Sequence, residues 1–494
     1  MANTQTATAK VTQLLHDKAG VRWTALILLA TAMFFGYVFV DVLSPLQSYV
    51  QTTRGWDPTT WGNFFGSETF LNVFVFFLIF AGIILDKMGV LFTAILSGII
   101  MVIGGAINWY ALTEAFQNSA LAASFDKILN LPAAWWNITP WQEGMPASAK
   151  LATFGFMLFG CGIEMAGITV SRGIVKWFEG KEMALAMGVE MAIARIGVAV
   201  VFFGSPWIVQ LGGVIDVSRP VAFALLLCCI GLICFIVYAF MDKALEKQMG
   251  TNGEVADDPF KVSDLKYIFT SKVFWIVSLL CVLYYSAIFP FQNYAGLMLQ
   301  CNLGITEEQA GLIFFVFPLG AAAITPFLGN YLDRKGKGAT MLIFGSILMI
   351  VCHSTFAYLL PVTRSVVLAY AAIILLGISF SLVPASLWPS VPKLIQPKLL
   401  GSAYAVIFWI QNIGLYGFRK GIGSVLQASN PGVTDPLKYD YTVTMTVFVT
   451  LGVLALFFSL WLKALDKKKG YGLELPNIKA KEAVEEAEIL AQAD

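Results

Sequence analysis

Only two histidines, His16 and His353, occur in 494 residues, and that scarcity removes most metal and proton-relay chemistry built on imidazole. Charge is scarce too. Charged residues make up 13% of the chain against 58% hydrophobic ones, with a net charge of +1, so a water-soluble surface could not be covered from this inventory. The dispersed basic residues leave no electrostatic footprint for nucleic acid. Cys161, Cys228, Cys229, Cys234, Cys281, Cys301 and Cys352 lie almost entirely within apolar runs and lack paired loop spacing, which argues against a disulfide framework or a zinc site. No nucleophile motif or histidine–carboxylate cluster falls within those runs, so an intramembrane enzyme is not expected, and no cofactor or metal is called for.

What the chain has instead is apolar length, with a mean hydropathy of +0.74. Stretches near the ~20 residues a helix needs to cross hydrocarbon run over 23–49, 62–85, 91–110, 151–170, 184–211, 221–241, 273–299, 309–331, 339–359, 366–387, 399–421 and 442–462. Twelve crossings, six in each half, predict an all-α membrane protein of two six-helix bundles, 23–241 and 273–462. A tail (1–22) precedes them, a polar linker (242–272) containing Gly250-Thr251-Asn252-Gly253 joins them, and a tail (463–494) follows, rich in alanine and glutamate from Ile478. The first run has a basic flank (Lys10, Lys18, Arg22) and no small-residue cleavage site after it, so it reads as an anchor and not as a removable signal.

Lysine and arginine gather in the loops at one end: Lys87, Arg172, Lys176, Lys181, Lys243, Lys247, Lys261, Lys266, Arg334, Lys335, Lys337, Lys393, Lys398, Lys463, Lys467, Lys468 and Lys469. The other end holds Arg54, Lys127, Lys150, Arg219, Arg364 and Lys438. That bias predicts both termini in the cytoplasm. A bacterial inner membrane is the expected home, with a lysosomal membrane as the eukaryotic counterpart. The long outer loop, 113–150, carries Trp135, Trp136 and Trp141, which suit an interfacial segment. Its Asn137-Ile138-Thr139 sequon reads as a chance match.

One phrase is written twice. Gly82-Ile83-Ile84-Leu85-Asp86-Lys87-Met88-Gly89 and Gly329-Asn330-Tyr331-Leu332-Asp333-Arg334-Lys335-Gly336 both read G-x-x-x-D-[KR]-x-G at an offset of 247, half the chain length. The simplest account is one helical unit in tandem, as in carriers with two pseudo-symmetric halves. The glycines would let a neighbouring helix approach, and each aspartate could take an arginine from the other half, making a breakable latch. The phrase resembles the loop signature of the major facilitator superfamily, which implies the fold of that family and transport by alternating access.

Charges that survive inside hydrocarbon cost on the order of 2.5–3.5 kcal/mol each on insertion scales and mark function. They are Asp41, Glu68, Glu164, Glu190 and Arg195. Glu164 and Arg195 could neutralise each other, or they could hold a zwitterion between them, the guanidinium fork on a carboxylate and the glutamate on an ammonium. Pro290 is expected to kink the seventh crossing, which also carries Tyr284, Tyr285, Phe289 and Asn293. Asn72, Trp388, Gln411 and Asn412 are further polar or aromatic candidates at mid-membrane depth.

Several stretches point further. Phe159-Gly160-x-Gly162-x-Glu164, Trp177-Phe178-x-Gly180-Lys181-Glu182 and Ala194-Arg195-Ile196-Gly197 are similar to the fourth and fifth helices of the lysosomal dipeptide uniporter branch of that superfamily. So are Tyr284-Tyr285-x-Ala287-x-Phe289-Pro290-Phe291, Leu387-Trp388-Pro389-x-Val391, Leu400-Gly401-x-Ala403-Tyr404 and Gln411-Asn412-x-Gly414-Leu415. The resemblance implies a dipeptide uniporter with broad side-chain tolerance, Glu164 meeting the peptide amino group and Arg195 its carboxylate. Asp41, in Tyr37-x-x-x-Asp41-x-x-x-Pro45-Leu46, resembles an acidic position of the branch. Glu190 stands where a neutral polar residue is expected, and Arg419-Lys420 interrupt the eleventh run. These departures leave proton coupling open, with Glu190, Glu68 and Asp41 as its carboxylates. A carrier of organic anions or other metabolites, and a substrate-sensing receptor on a carrier scaffold, remain alternatives. The residues say nothing about an accessory subunit.

Overall fold

The computed structural model describes residues 14–134, 136–178, 181–249, 265–396 and 399–476. Trp135, Gly180, Lys261, Lys398, the glycine-containing linker stretch at 250–253 and the tail from Ile478 lie outside them. Every regular element among the described residues is helical. The long helices are α1 (Ala19–Asp41), α2 (Pro58–Phe74), α3 (Phe77–Leu112), α4 (Ala147–Phe178), α5 (Met183–Ile208), α6 (Ser218–Met249), α7 (Lys272–Leu303), α8 (Glu307–Lys335), α9 (Gly338–Ser354), α10 (Val366–Leu394), α11 (Leu400–Ser429) and α12 (Thr442–Lys469).

Local sequence sets their ends. Asp57 caps α2 by accepting from the Thr60 amide at 2.7 Å, with Pro58 in the first turn, where a missing N–H costs nothing. Thr306 and Gln309 form a capping box on α8, whose first turn carries Glu307 and Glu308 and whose last turn carries Arg334 and Lys335, matching the helix dipole at both ends. Gly304 ends α7 in a left-handed conformation, φ 68°.

Among the described residues, ten helical spans are long and apolar enough to cross a membrane. Of the twelve expected crossings, the second is divided. Its helix stops at Phe74 and resumes at Phe77, so α2 is only 17 residues long, and the chain then continues through a bend at Gly89 (φ 78°) into the third. The eleventh is diluted by Gln411, Asn412, Arg419 and Lys420, and α11 is not among the ten. At Pro290, α7 carries its proline inside one continuous helix, Lys272–Leu303. A break falls at Phe76, a non-glycine residue at φ 56°.

Five pairings, α1 with α5, α1 with α6, α2 with α4, α3 with α6 and α3 with α4, recur six helices later as α7 with α11, α7 with α12, α8 with α10, α9 with α12 and α9 with α10. The two sets meet through α2 on α11 and α5 on α8, contacts that the same six-helix shift exchanges. One end of the molecule carries both repeated motifs and is called here the linker end; the other carries residues 113–146 and is called the loop end.

At the loop end, Lys150 is 1% exposed. Its ammonium donates to the carbonyls of Phe125 (3.0 Å) and Ile128 (2.9 Å) and to Asn130 Oδ1 (2.6 Å), folding the loop over the mouth of α4. The Asn137 amide donates to the Trp141 and Pro132 carbonyls at 2.8 and 3.2 Å, so the sequon nitrogen is structural. At the linker end, the α4–α5 turn is tied to the start of α1: Glu182 accepts from Arg22 at 2.8 Å and Lys181 pairs with Asp17 at 2.7 Å. Those hydrogen bonds hold both exposed carboxyls below their usual range.

A strap follows α12. The Glu474 carbonyl accepts from the Lys337 amide and its carboxylate from the amide and hydroxyl of Thr340, both at 2.8 Å, pinning the chain over Gly336. A methyl group on Gly336 would overlap Glu474 and Leu475, whereas Gly89, its counterpart in the first copy, faces open space.

The deepest polar cluster at the linker end is Lys176, which pairs with Asp242 and Glu246 at 2.8 Å each, while Trp177 and Tyr238 also donate to Asp242. Asp242 is fully buried. Lys176→Met strands that carboxylate and is expected to cost about 3–5 kcal/mol, seen as a lowered melting temperature in detergent. Lys176→Met with Asp242→Leu recovers much of the loss; equal melting of single and double variants would show the pair to be unimportant.

Candidate functional site

At the loop end the two sets of helices are sealed. A Cβ on Gly62 of α2 would lie 2.8 Å from Tyr294 Oη and 3.1 Å from Gly423 Cα, so only glycines allow this approach of α2 to α7 and α11. Beneath it lies a buried ion pair across the seam, Arg419 of α11 with Glu68 of α2, and Arg419 also donates to the Phe65 carbonyl at 3.2 Å. Lys420 donates to the carbonyls of Asn137 and Thr139 at 2.7 Å each, fastening the loop to α11. Ser48 donates to Glu307 at 2.9 Å. Trp61 Nε1 donates to the Asn293 carbonyl at 2.9 Å. The Asn293 amide donates to Ser44, and Ser44 to Asp41, at 2.9 Å each. Asp41 and Asn293 thus belong to the seal, at 3% and 1% exposure.

Beyond the seal, Tyr37, Glu164, Glu190 and Arg195 are half-buried. Glu164 leaves α4 where the backbone is pressed against its neighbours. A Cβ on Gly160 would overlap the Glu68 carbonyl of α2, and one on Gly162 would lie 2.8 Å from the Met101 amide nitrogen of α3. The carboxylate therefore springs from a rigid three-helix contact. Arg195, on α5, crosses to the other set of helices: its guanidinium carbon lies 4.5 Å from the ring centroid of Phe380 on α10 and 5.6 Å from that of Phe289 on α7. Among the described residues, Glu164 and Arg195 form no ion pair with each other or with any third group. Tyr37 of α1 lies within electrostatic range of Glu190, Arg195, Glu164 and Glu68.

The remaining candidates divide. Tyr285 stacks on Phe289 (5.6 Å) and accepts a hydrogen bond from Trp388 Nε1 at 2.9 Å, forming an aromatic wall beside Arg195. Asn412 and Gln411 are buried on α11, the latter accepting from the Cys281 thiol at 3.1 Å. Asn72, 1% exposed beside the break at Phe76, has neither amide atom hydrogen-bonded. Tyr284 is a correction: its hydroxyl engages the Leu342 carbonyl and Ser346 at 2.6 Å and Ser459 at 3.0 Å, so it cements α7 to α9 and α12 and faces away from the opening. Glu68 is not a free carboxylate, being paired with Arg419. Asp86 takes its arginine, Arg172 at 2.9 Å, from its own set of helices and not from the other. Gly82 and Gly329 meet no neighbour, contrary to the close approach expected of them. Lys87 and Arg334 are exposed, and Asp333 lies within electrostatic range of Lys393 at the foot of α10.

Three residues that the geometry brings forward were not candidates for the site: Tyr37, Phe380 and Arg419. Arg419 carried a signal, a basic pair inside an apolar run. Phe380 carried none, since a phenylalanine in a crossing helix is ordinary composition.

The sequence pattern of the Major Facilitator Superfamily matches residues 29–416. The chain is 29% identical over 338 residues, 66% of its length and 68% of the relative's, to a protein named lysosomal dipeptide transporter MFSD1 in Danio rerio. It is 30% identical over 278 residues, 54% and 57% of the two lengths, to the Homo sapiens protein of that name. The chain thus spans between about half and two thirds of the length of these relatives. Among solved structures, it resembles the nucleoside transporter NupG with a TM-score of 0.64 at 15% identity, covering 89% of this chain and 99% of that one. A bacterial homolog of the human lysosomal transporter Spinster, inward-facing and occupied, gives 0.62 at 14% identity over 90% and 97%. A structure concerning proton-dependent oligopeptide transporters gives 0.61 at 12% over 90% and 98%. At these identities the likeness is one of fold.

Breaking the seal should expose what it covers. In a variant without native cysteines, Ser44→Cys is expected to resist a charged thiol reagent applied at the loop end, because Ser44 is fully buried. Adding Arg419→Met strands Glu68 and should raise labelling on the order of tenfold or more, since breaking a buried pair costs about 3–5 kcal/mol. Unchanged labelling would show that the ion pair does not hold this end closed.

Proposed function

The chain belongs to the Major Facilitator Superfamily and is a membrane transporter of that class; from that premise we propose that its cargo is a free dipeptide, carried by alternating access as a uniport. The observation that carries the proposal is that Glu164 and Arg195, both half-buried and both within electrostatic range of Tyr37, form no ion pair among the described residues although each sits in a low-dielectric setting. An anion alone would satisfy only the arginine. A zwitterion supplies both missing charges, an ammonium for Glu164 and a carboxylate for the fork of Arg195. The names of the MFSD1 relatives favour the same cargo.

The wall of Tyr285, Phe289 and Trp388 offers apolar and π contact without directional polar readout, which suits tolerance of different side chains. Asn412 on the facing helix is a further polar contact for the peptide bond. The linker end, with its basic loops, is assigned to the cytoplasm together with both termini. In that orientation the described state opens inward and the Arg419–Glu68 seam closes the outside. The assigned membrane is the bacterial inner membrane, or the lysosomal membrane in a eukaryote. The repeated motifs act on exchange between states: Asp86 and Arg172 join α3 to α4 at the linker-end mouth, a rigid unit that must move when the inside closes.

Recognition by both ends makes a sharp expectation. N-acetylated and C-amidated dipeptides should each bind about 30- to 5,000-fold more weakly than the free peptide, the range for losing a buried charge-assisted partner at about 2–5 kcal/mol, while side-chain changes matter far less. Thermal-shift titration followed by counterflow in proteoliposomes reads both binding and exchange. Equal binding of capped and free peptides would sink the dipeptide reading, and amide sensitivity without acetyl sensitivity would indicate an organic-anion carrier. Binding without counterflow would indicate a receptor.

Glu190 tests the coupling. For a uniporter, a neutral dipeptide equilibrates across the membrane and does not accumulate under an inward proton gradient. Accumulation in wild type that is abolished by Glu190→Gln while counterflow persists would replace uniport with proton coupling through Glu190.

A further inference from the structure

Arg195 is held by aromatic faces, and the way it is held bears on what it can bind. Its guanidinium carbon lies over the Phe380 ring at 4.5 Å and near the Phe289 ring at 5.6 Å. A cation over a ring face is attracted by the ring quadrupole without using any N–H donor. Among the described residues the Arg195 N–H groups make no hydrogen bond or ion pair, which leaves them as a fork for a carboxylate. Had the arginine been held by a glutamate or a backbone carbonyl, donors would be spent and the charge half-cancelled before cargo arrived.

The seat is itself built. Phe380 is 3% exposed and is boxed edge-on by Phe289 (5.8 Å, 85°) and Tyr285 (6.2 Å, 80°), with Phe317 on a further side (5.9 Å). Tyr285 is fixed in turn by Trp388. The ring has little freedom to turn, so its face is presented to Arg195 as a fixed surface. The contact also joins α5 in the first set of helices to α10 in the second, at mid-membrane depth and away from the loop-end seam.

We propose that Phe380 is a positioning residue that sets specificity for the carboxylate end of the cargo, by seating the Arg195 guanidinium through its ring face with all donors free and tying that seat to the second half of the carrier. This rests on the dipeptide reading above. It adds that discrimination at the carboxylate end depends on an aromatic face contributed by the opposite half, whereas discrimination at the amino end does not.

The test uses the full-length protein in detergent and in proteoliposomes, with one dipeptide in three forms: free, C-amidated and N-acetylated. Wild type fixes the two discrimination ratios, free over amidated and free over acetylated. Phe380→Leu keeps apolar bulk and removes the quadrupole; it is expected to lower the free-over-amidated ratio about 3- to 30-fold, the span of a partly to fully desolvated cation–π contact. The free-over-acetylated ratio should stay within about twofold, and Phe380→Tyr should restore the first ratio. If Phe380→Leu does not fold, Phe289→Leu removes the second ring and is expected to shift the same ratio in the same direction by less. A Phe380→Leu protein that keeps its free-over-amidated ratio, or loses both ratios equally, overturns the proposal, the latter because a mere packing defect blurs both ends. A wild-type protein indifferent to amidation instead overturns the dipeptide reading itself, before any variant is made.

Discussion

Low dielectric makes every buried charge a question of partnership, and this protein answers it differently at two depths. At the loop-end seam, Glu68 and Arg419 answer it with each other. Deeper in, Glu164 and Arg195 form no ion pair among the described residues, and the geometry explains why they do not collapse onto one another. Glu164 projects from a stretch of α4 whose glycines, Gly160 and Gly162, press backbone against α2 and α3. Arg195 is drawn the other way, onto the rings of Phe380 and Phe289. The two charges are held apart by packing, and on the proposed reading the free energy of a salt bridge is left for the cargo.

The same accounting governs the change of state. Under the proposed alternating access, opening the loop end would separate Arg419 from Glu68 and pull Lys420 from the carbonyls of Asn137 and Thr139. Neither cation can be abandoned in hydrocarbon, so opening has to bring water or another partner to both. Glu164 already lies in the field of Arg419 and Glu68. The break at Phe76 lies close by, where Trp409 of α11 donates to the freed Val73 carbonyl at 3.0 Å and stacks on the Phe76 ring.

Much of this architecture was legible in the chain. Apolar runs of the right length, the doubled G-x-x-x-D-[KR]-x-G phrase and the lysine bias led to an all-α carrier, because length and periodic composition are what a bilayer selects for. The interior charges were legible for the same reason: Glu164 and Arg195 stand out because so few ionisable residues survive there. Direction was not legible. Nothing in Tyr284-Tyr285 says that the first turns toward α9 and α12 while the second faces the opening, since adjacent helical residues point about 100° apart and only the packed neighbours decide which is inside. The break at Phe76 had no glycine or proline to announce it. Arg419 was noticed as an irregularity, but its partner lay 351 positions away, a separation at which local reasoning has no purchase.

The strap over Gly336 has an evolutionary consequence. Two motifs that began as copies now carry different obligations: Gly89 must allow a bend in open space, and Gly336 must leave room for Glu474 and Leu475. The loop-end closure is equally one-sided, resting on a basic pair in α11. A molecule made by joining two copies of the first half would keep the fold's symmetry and lose both fastenings. The two sets of helices are complementary parts, no longer interchangeable.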